Sequence, residues 1–167
     1  MLPVNDEDLH ELNLHSFAGS VLFRHLFDEG MELVEETARY LDGAGRDEQR
    51  LLPRKIALLY AGESMRVTTR LMQAASWLLV QRAVHEGEMK AEEAACERYR
   101  LGSRDICFGA GREGVELLPV TLRDLLVRSD RLYRQIDRLD DVLFGDVSVA
   151  LGARGQLALL QRAFGGK

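Results

Sequence analysis

The sequence predicts an all-α protein: an antiparallel three-helix bundle with a long central helix, homodimeric, with flexible N- and C-terminal segments. Three observations lead there. Apolar residues recur at steps of three and four through three long stretches, the signature of helices with one buried face. Glycine and proline stand between those stretches and not inside most of them, as expected of helix boundaries. The middle stretch, roughly Pro53 to His85, carries more apolar surface than a monomeric bundle needs.

A chain of 167 residues with 46% apolar and 29% charged content suits one globular domain with a real core. The division expected is an arm at 1–18, a helical bundle domain at 19–145 and a tail at 146–167 with a short amphipathic segment. A net charge of −5, from 22 Lys plus Arg against 27 Asp plus Glu, repels phosphate backbones and argues against nucleic acid as a partner. No stretch approaches the roughly 20 apolar residues of a membrane span, and Asp6-Glu7-Asp8 stands where a signal peptide has a basic region. Cys96 and Cys107 lie eleven positions apart with no CxxC spacing, which fits reduced thiols in the cytoplasm.

The first helix begins near Gly19, where Phe23, Leu26, Phe27, Gly30, Met31, Leu33, Val34, Thr37, Tyr40 and Leu41 take up the helical period. Gly43, followed by Gly45, ends it, with the left-handed glycine conformation as the expected stop. Asp47 or a neighbour caps a short turn, and Pro53 belongs in the first turn of the central helix, where its missing N–H costs nothing. From there to His85 the rod measures about 50 Å at 1.5 Å per residue. Gly87 stops it, and Glu88 to about Arg100 resumes as a short charged helix. Leu101 to Leu118, with Gly102, Gly109, Gly111 and Gly114, has turn chemistry without a period and reads as a loop. Pro119 and Thr121 open the next helix, whose Leu122, Leu125, Ser129, Leu132, Ile136, Leu139 and Leu143 alternate steps of three and four as a coiled-coil seam does. Gly145 is the expected end of that helix.

Around the central helix the residues fall on three lines. Leu58, Ala61, Met65, Thr68, Met72, Ala75 and Leu79 form one apolar stripe; Ile56, Tyr60, Val67, Leu71, Ala74 and Leu78 form a second. A rod longer than its expected neighbours leaves apolar surface uncovered, so Leu58, Met65, Met72 and Leu79 are assigned, with the seam from Leu122 to Leu143, to core or dimer contact. The third line is Glu63, Arg66, Arg70, Gln73, Trp77 and Gln81. It reads either as a solvated face with an ordinary ion pair or as a docking strip, since Arg and Trp are enriched in binding hot spots. The first five of these residues are the candidate partner-binding set.

Catalytic chemistry is not evident. His10, His15, His25 and His85 are scattered, Glu7-x-x-His10 has no second copy to complete a di-iron unit, and Gly62-x-Ser64 lacks the setting of a nucleophile elbow. Glu35-Glu36 and Asp140-Asp141 read as solvated charges. Cys107, near Arg104 and Arg112, has a setting that lowers a thiol pKa, yet no histidine stands beside it. No catalytic, metal or cofactor residue is assigned.

Two runs resemble a known family. The stretch from Glu29 to Gly43, EGMELVEETARYLDG, and that from Glu63 to Leu79, ESMRVTTRLMQAASWLL, continuing through Gln81-Arg82-Ala83-Val84 to Glu86-Gly87-Glu88-Met89, are similar to the RcdA family, regulators of CtrA degradation. The resemblance spans about residues 20 to 145. It implies a small helical dimer of alphaproteobacterial type, without enzymatic activity, acting as an adaptor that helps deliver cell-cycle regulators to the ClpXP protease, with ClpX, co-adaptors or clients as partners. The loop at 101–118 and the tail depart from any family motif. Within the tail, Leu157, Leu160 and Phe164 lie on one side of a short amphipathic segment and are tail-docking candidates; a last helix folded back on the bundle is the other reading. Two further functional readings stand beside the adaptor: a dimeric scaffold for another regulatory assembly, and a bundle that senses a small ligand near Glu63, Thr68 and Gln73.

Overall fold

The computed structural model describes residues 16–109 and 113–164, with side chains described as far as Gly145. The regular elements it describes are helical: α1 Val21–Asp42, α2 Ala44–Leu51, α3 Arg54–His85, α4 Ala91–Ala94, α5 Arg104–Cys107 and α6 Val120–Phe164, with 3₁₀ turns at Glu97–Tyr99 and Val115–Leu117.

Local chemistry sets the ends. Ser20 caps α1 by accepting a hydrogen bond from the Phe23 amide at 3.1 Å. Gly43 does end α1, but with φ −110° and not in the left-handed region. The need for glycine there is close approach: a Cβ would sit 2.9 Å from the Arg39 carbonyl oxygen. Pro53 is the residue before α3, one place earlier than a first-turn position. At the other end Gly87 adopts φ +75°, and the Glu88 and Gly87 amides donate to the Ala83 and Val84 carbonyls at 2.9 and 3.1 Å. Those two bonds make a Schellman stop.

The three long helices α1, α3 and α6 share one core. Leu122, Leu125, Leu132 and Ile136 of α6 are buried against Leu26 and Leu33 of α1 and Val67, Leu71 and Leu78 of α3. Each such side chain contributes about 1.5–3 kcal/mol of transfer free energy. Leu139 and Leu143 pack at the margin of the same cluster.

The directions of the helices correct the antiparallel expectation in one pair. Gly30 of α1 lies against Leu78 and Leu132, and Tyr40 lies near Tyr60, so α1 runs opposite to α3. Arg70 reaches Leu126 and Asp130, whereas Trp77 reaches Asp140, so α3 and α6 run parallel. Parallel neighbours need a crossover that returns along their length. Residues 88–109 and 113–119 belong to it. The expected charged helix from Glu88 to Arg100 is one α-turn and one 3₁₀ turn, and the expected loop contains α5. The segment then runs back beside α3, Gly102 near Gln73, Cys107 near Arg70 and Gly109 near Arg66.

Gly145 does not end α6, which continues to Phe164. A glycine inside a helix costs only about 1 kcal/mol relative to alanine, so a long helix can absorb it. The length argument for exposed surface on α3 therefore fails, because α6 has 45 residues and α3 has 32. The tail-docking candidates Leu157, Leu160 and Phe164 have side chains outside the described residues, as does the arm before Ser16.

Gly45 offers a test of packing at the α1–α2 corner. A Cβ there would overlap the Tyr60 hydroxyl and come within 2.9 Å of the Tyr40 ring. Gly45→Ala is expected to lower stability by about 1–3 kcal/mol through overpacking, measured as a lower urea midpoint at unchanged slope.

Candidate functional site

Between Leu58 and Leu79 the central helix is built in an unusual sense: its charges point inward and its methionines point outward. Glu63 and Trp77 are each 1% exposed and Arg70 is 4% exposed, with Arg66 and Gln81 also buried. Gln73 is half-buried. The row assigned by sequence to partner binding is therefore not a surface strip, which corrects that assignment's premise.

What these side chains hold is the return segment. Arg70 donates from Nε and Nη2 to the Cys107 carbonyl at 2.9 and 2.7 Å, from Nη1 to the Leu126 carbonyl at 3.1 Å, and pairs with Asp130 at 2.8 Å. Arg66 donates to the Gly109 carbonyl at 3.0 Å and lies 3.5 Å from Glu63. The Gly102 amide donates to Gln73 Oε1 at 3.0 Å, while Tyr133 donates to the Gly102 carbonyl at 2.6 Å. A short, mostly non-helical segment has backbone groups that cannot bond to one another, so buried donors and acceptors must come from side chains. The inward row of α3 meets that need. Burial lowers the Arg70 pKa from its ordinary value, with Asp130 opposing the shift.

A second cluster closes the far end. Trp77 Nε1 donates to Asp140 at 2.8 Å, and Arg100 Nε bonds both Asp140 oxygens at 2.9 Å while its Nη2 lies 2.8 Å from Oδ2. Asp140 is buried, contrary to the expectation that Asp140 and Asp141 are both solvated; Asp141 is exposed and pairs with Arg104. Glu36 likewise has a partner, Arg128 at 2.8 Å.

Cys107 departs from the sequence reading as well. It is fully buried, and burial pushes its thiol pKa up. Because the unfolded chain then loses that proton first, this thiol's contribution to stability falls as pH rises past the ordinary thiol range. Cys96 is exposed. Labelling with a thiol reagent at pH 8 is expected to modify one equivalent in the folded protein and two after denaturation.

The outward face of α3 is the other half of the arrangement. Leu58, Met65, Met72 and Leu79 are 67, 71, 67 and 51% exposed. Thr68 and Ser76 are exposed between them, and Ala61, Gly62, Thr69 and Ala75 are half-buried. From Leu58 to Leu79 the outward side of α3 therefore carries no charge. The only charged residues in that span, Glu63, Arg66 and Arg70, point inward. Four large apolar side chains in one row on one helix form a patch of the kind that marks an interface. Sequence had placed these residues in a core or dimer seam; within one chain they are outside the core, whereas the heptad residues of α6 are in it.

The residues proposed to sense a small ligand do not share a cleft. Glu63 is buried, Thr68 is exposed and donates to the Ser64 carbonyl, and Gln73 is engaged by Gly102. A groove of about 390 Å³ does lie elsewhere, between the start of α1 and the end of α3, lined by Phe23, Phe27, Arg24, Asp28, Arg82 and His85 among others. Among the described residues no group of three His, Cys, Asp or Glu could hold a metal ion, and no helix is long and apolar enough to cross a membrane.

Comparison with known proteins places the chain among relatives. Residues 14–164 match the family described as "Protein of unknown function (DUF1465)". The crystal structure of RcdA from Caulobacter crescentus CB15 is similar at 52% sequence identity and a TM-score of 0.63, covering 78% of this chain and 97% of that one. No curated protein matches the sequence.

Proposed function

The chain belongs to the DUF1465 family, the family of RcdA, and on that premise we propose that it is a non-enzymatic protein-interaction module: an adaptor, acting as a homodimer in the cytoplasm, that assists delivery of regulatory proteins to the ClpXP protease. The observation that carries the reading is the uncharged, methionine-bearing outward face of α3 on a chain so similar to RcdA. A solvated helix ordinarily turns charge outward, and this one, between Leu58 and Leu79, turns its charge inward. Methionine suits a contact surface because its flexible thioether adapts to irregular partners. The net charge of −5 opposes nucleic acid as an alternative partner.

In this reading the bundle at 19–145 is the rigid body and self-association covers the α3 face. The tail at 146–167 supplies a docking element through Leu157, Leu160 and Phe164. ClpX, a co-adaptor or a client then meets the dimer at surfaces other than the buried α3 row. The test is a pull-down from cell extract with the wild type and a chain lacking 146–167. The unfoldase is expected to co-purify with the wild type and to be reduced with the deletion, while both remain folded dimers. Equal recovery would remove the tail from the reading, and no recovery with the wild type would overturn the adaptor function.

A further inference from the structure

Helix α6 divides its charges between two sides. From Val120 to Gly145 it carries five arginines and five aspartates. Four of the aspartates meet arginines from other parts of the chain: Asp130 pairs with Arg70 at 2.8 Å, Asp140 with Arg100 at 2.8 Å, and Asp137 and Asp141 with Arg104 at 2.8 and 3.0 Å. The fifth, Asp124, pairs with Arg128 at 3.1 Å, and Arg128 also holds Glu36. Of the arginines of α6 itself, Arg134 has to share Asp130 with Arg70. Arg123, Arg131 and Arg138 are exposed and have no acidic partner among the described residues.

At about 100° per residue these three arginines fall on one solvent-facing strip with Val120, Val127 and Val142. The valines are 70, 68 and 81% exposed, and none belongs to the core. Nothing in the folding of one chain calls for them, since a β-branched side chain weakens an exposed helix position relative to alanine or leucine. The strip thus joins cations without countercharge to stiff apolar side chains without cover, along about 33 Å of helix.

We propose that this face of α6 docks an acidic, helical segment of a partner protein. Each guanidinium presents a planar fork that matches a carboxylate in a bidentate pair. Arg131 and Arg138, seven residues apart, call for acids at the same interval, and Val120 and Val127, also seven apart, call for apolar residues in register with them. A phosphate polyanion fits less well. It offers the valines nothing apolar, and the net charge of −5, with Asp124 and Asp141 at the margins of the strip, opposes a continuous run of anions. The surface is distinct from the uncharged side of α3.

This inference rests on the adaptor reading and adds to it a surface and a partner chemistry. Its test needs neither the unfoldase nor a client, so its failure and that of the pull-down are distinguishable. The probe is a fluorescein-labelled synthetic helix with glutamate at steps of three and four and leucine at every seventh position. It is titrated with the full chain and read by anisotropy, with circular dichroism to check the fold of each variant. The wild type is expected to bind, more weakly as salt rises. Arg131→Glu/Arg138→Glu is expected to bind about tenfold more weakly or less. Arg54→Glu/Lys55→Glu, which makes the same change in charge at the exposed start of α3, is expected to bind as the wild type does. Equal weakening in both double variants would reduce the effect to net charge and overturn the site. Undiminished binding of a probe with glutamine for glutamate, or no binding by the wild type, would overturn it as well. Binding seen only after Asp6→Asn/Glu7→Gln/Asp8→Asn would make the chain's own acidic run the occupant in place of a partner. Vesicles containing phosphatidylglycerol are the last arm: capture of the wild type by them, lost in Arg131→Glu/Arg138→Glu and without binding of the peptide, would assign the face to a membrane and overturn the proposal.

Discussion

Asp140→Ala lowers stability by about 3–5 kcal/mol, the loss expected when one partner of a buried ion pair is removed and the other charge is stranded. Asp140 is 1% exposed and receives Trp77 Nε1 and Arg100 from two different parts of the chain. Its removal leaves the indole N–H without its acceptor and the largely buried guanidinium without its buried countercharge, held only by the Phe144 and residue-140 carbonyls and the exposed Asp141. At 2–4 °C per kcal/mol for a domain of this size, the melting temperature falls by roughly 10 °C, read at one fixed protein concentration because a dimer melts higher when concentrated. Asp140→Asn keeps one acceptor oxygen for Trp77 and falls by less. If both variants melt with the wild type, the cluster contributes nothing to stability and its place in the fold has been misjudged.

Arg70→Met is the second large effect, and it is local. The substitution keeps most of the volume but leaves the Cys107 carbonyl without either of the hydrogen bonds it receives from Arg70. An unsatisfied buried acceptor costs about 1–3 kcal/mol. The loss falls on the return segment, so opening there becomes easier while the three long helices persist. The reporter is already in place: Cys107 is a buried residue of that segment and its labelling requires opening. A loss of about 2–3 kcal/mol speeds labelling in the native state by roughly 30- to 160-fold, with helicity unchanged. Arg70→Lys lies between the two, since a single ammonium cannot fork across Cys107, Leu126 and Asp130. An unchanged labelling rate in Arg70→Met would mean that the guanidinium is not what retains the segment.

These two variants also mark the boundary between what the sequence discloses and what it conceals. The helix-period stretches, the Gly87 stop, the Pro53 start and the α6 seam from Leu122 to Ile136 are all visible as local patterns. The inward row of α3 is not. A helix carrying Arg66, Arg70 and Gln73 is read with those residues in water, because burying a charge is costly unless a partner is at hand. The partners are carbonyls at Cys107, Leu126 and Gly109, which belong to a segment whose path the periodicity does not describe. A signal existed all the same: the span from Leu101 to Leu118 holds too little regular structure to satisfy its own backbone, so side-chain donors had to be sought elsewhere. Asp140 was legible in the same way, since it follows Ile136 by four and falls on the core side of α6. The parallel course of α6 is not legible from periodicity, because a glycine-rich connection without a period does not disclose whether it turns tightly or runs back along the bundle. Gly145 misled in the opposite direction, a single glycine being too weak a breaker for a helix this long.

The central claim is that α3, between Leu58 and Leu79, turns its charges inward to hold its own chain and its uncharged face outward to bind a second copy. Sedimentation equilibrium of the wild type and of a Met65→Lys/Met72→Lys variant, with far-ultraviolet circular dichroism on each, tests it most directly. The account predicts twice the 18.8 kDa chain mass for the wild type and 18.8 kDa for the variant, with the same helical content. A wild type that sediments as a monomer, or a variant that remains a dimer with two lysines on that face, contradicts it.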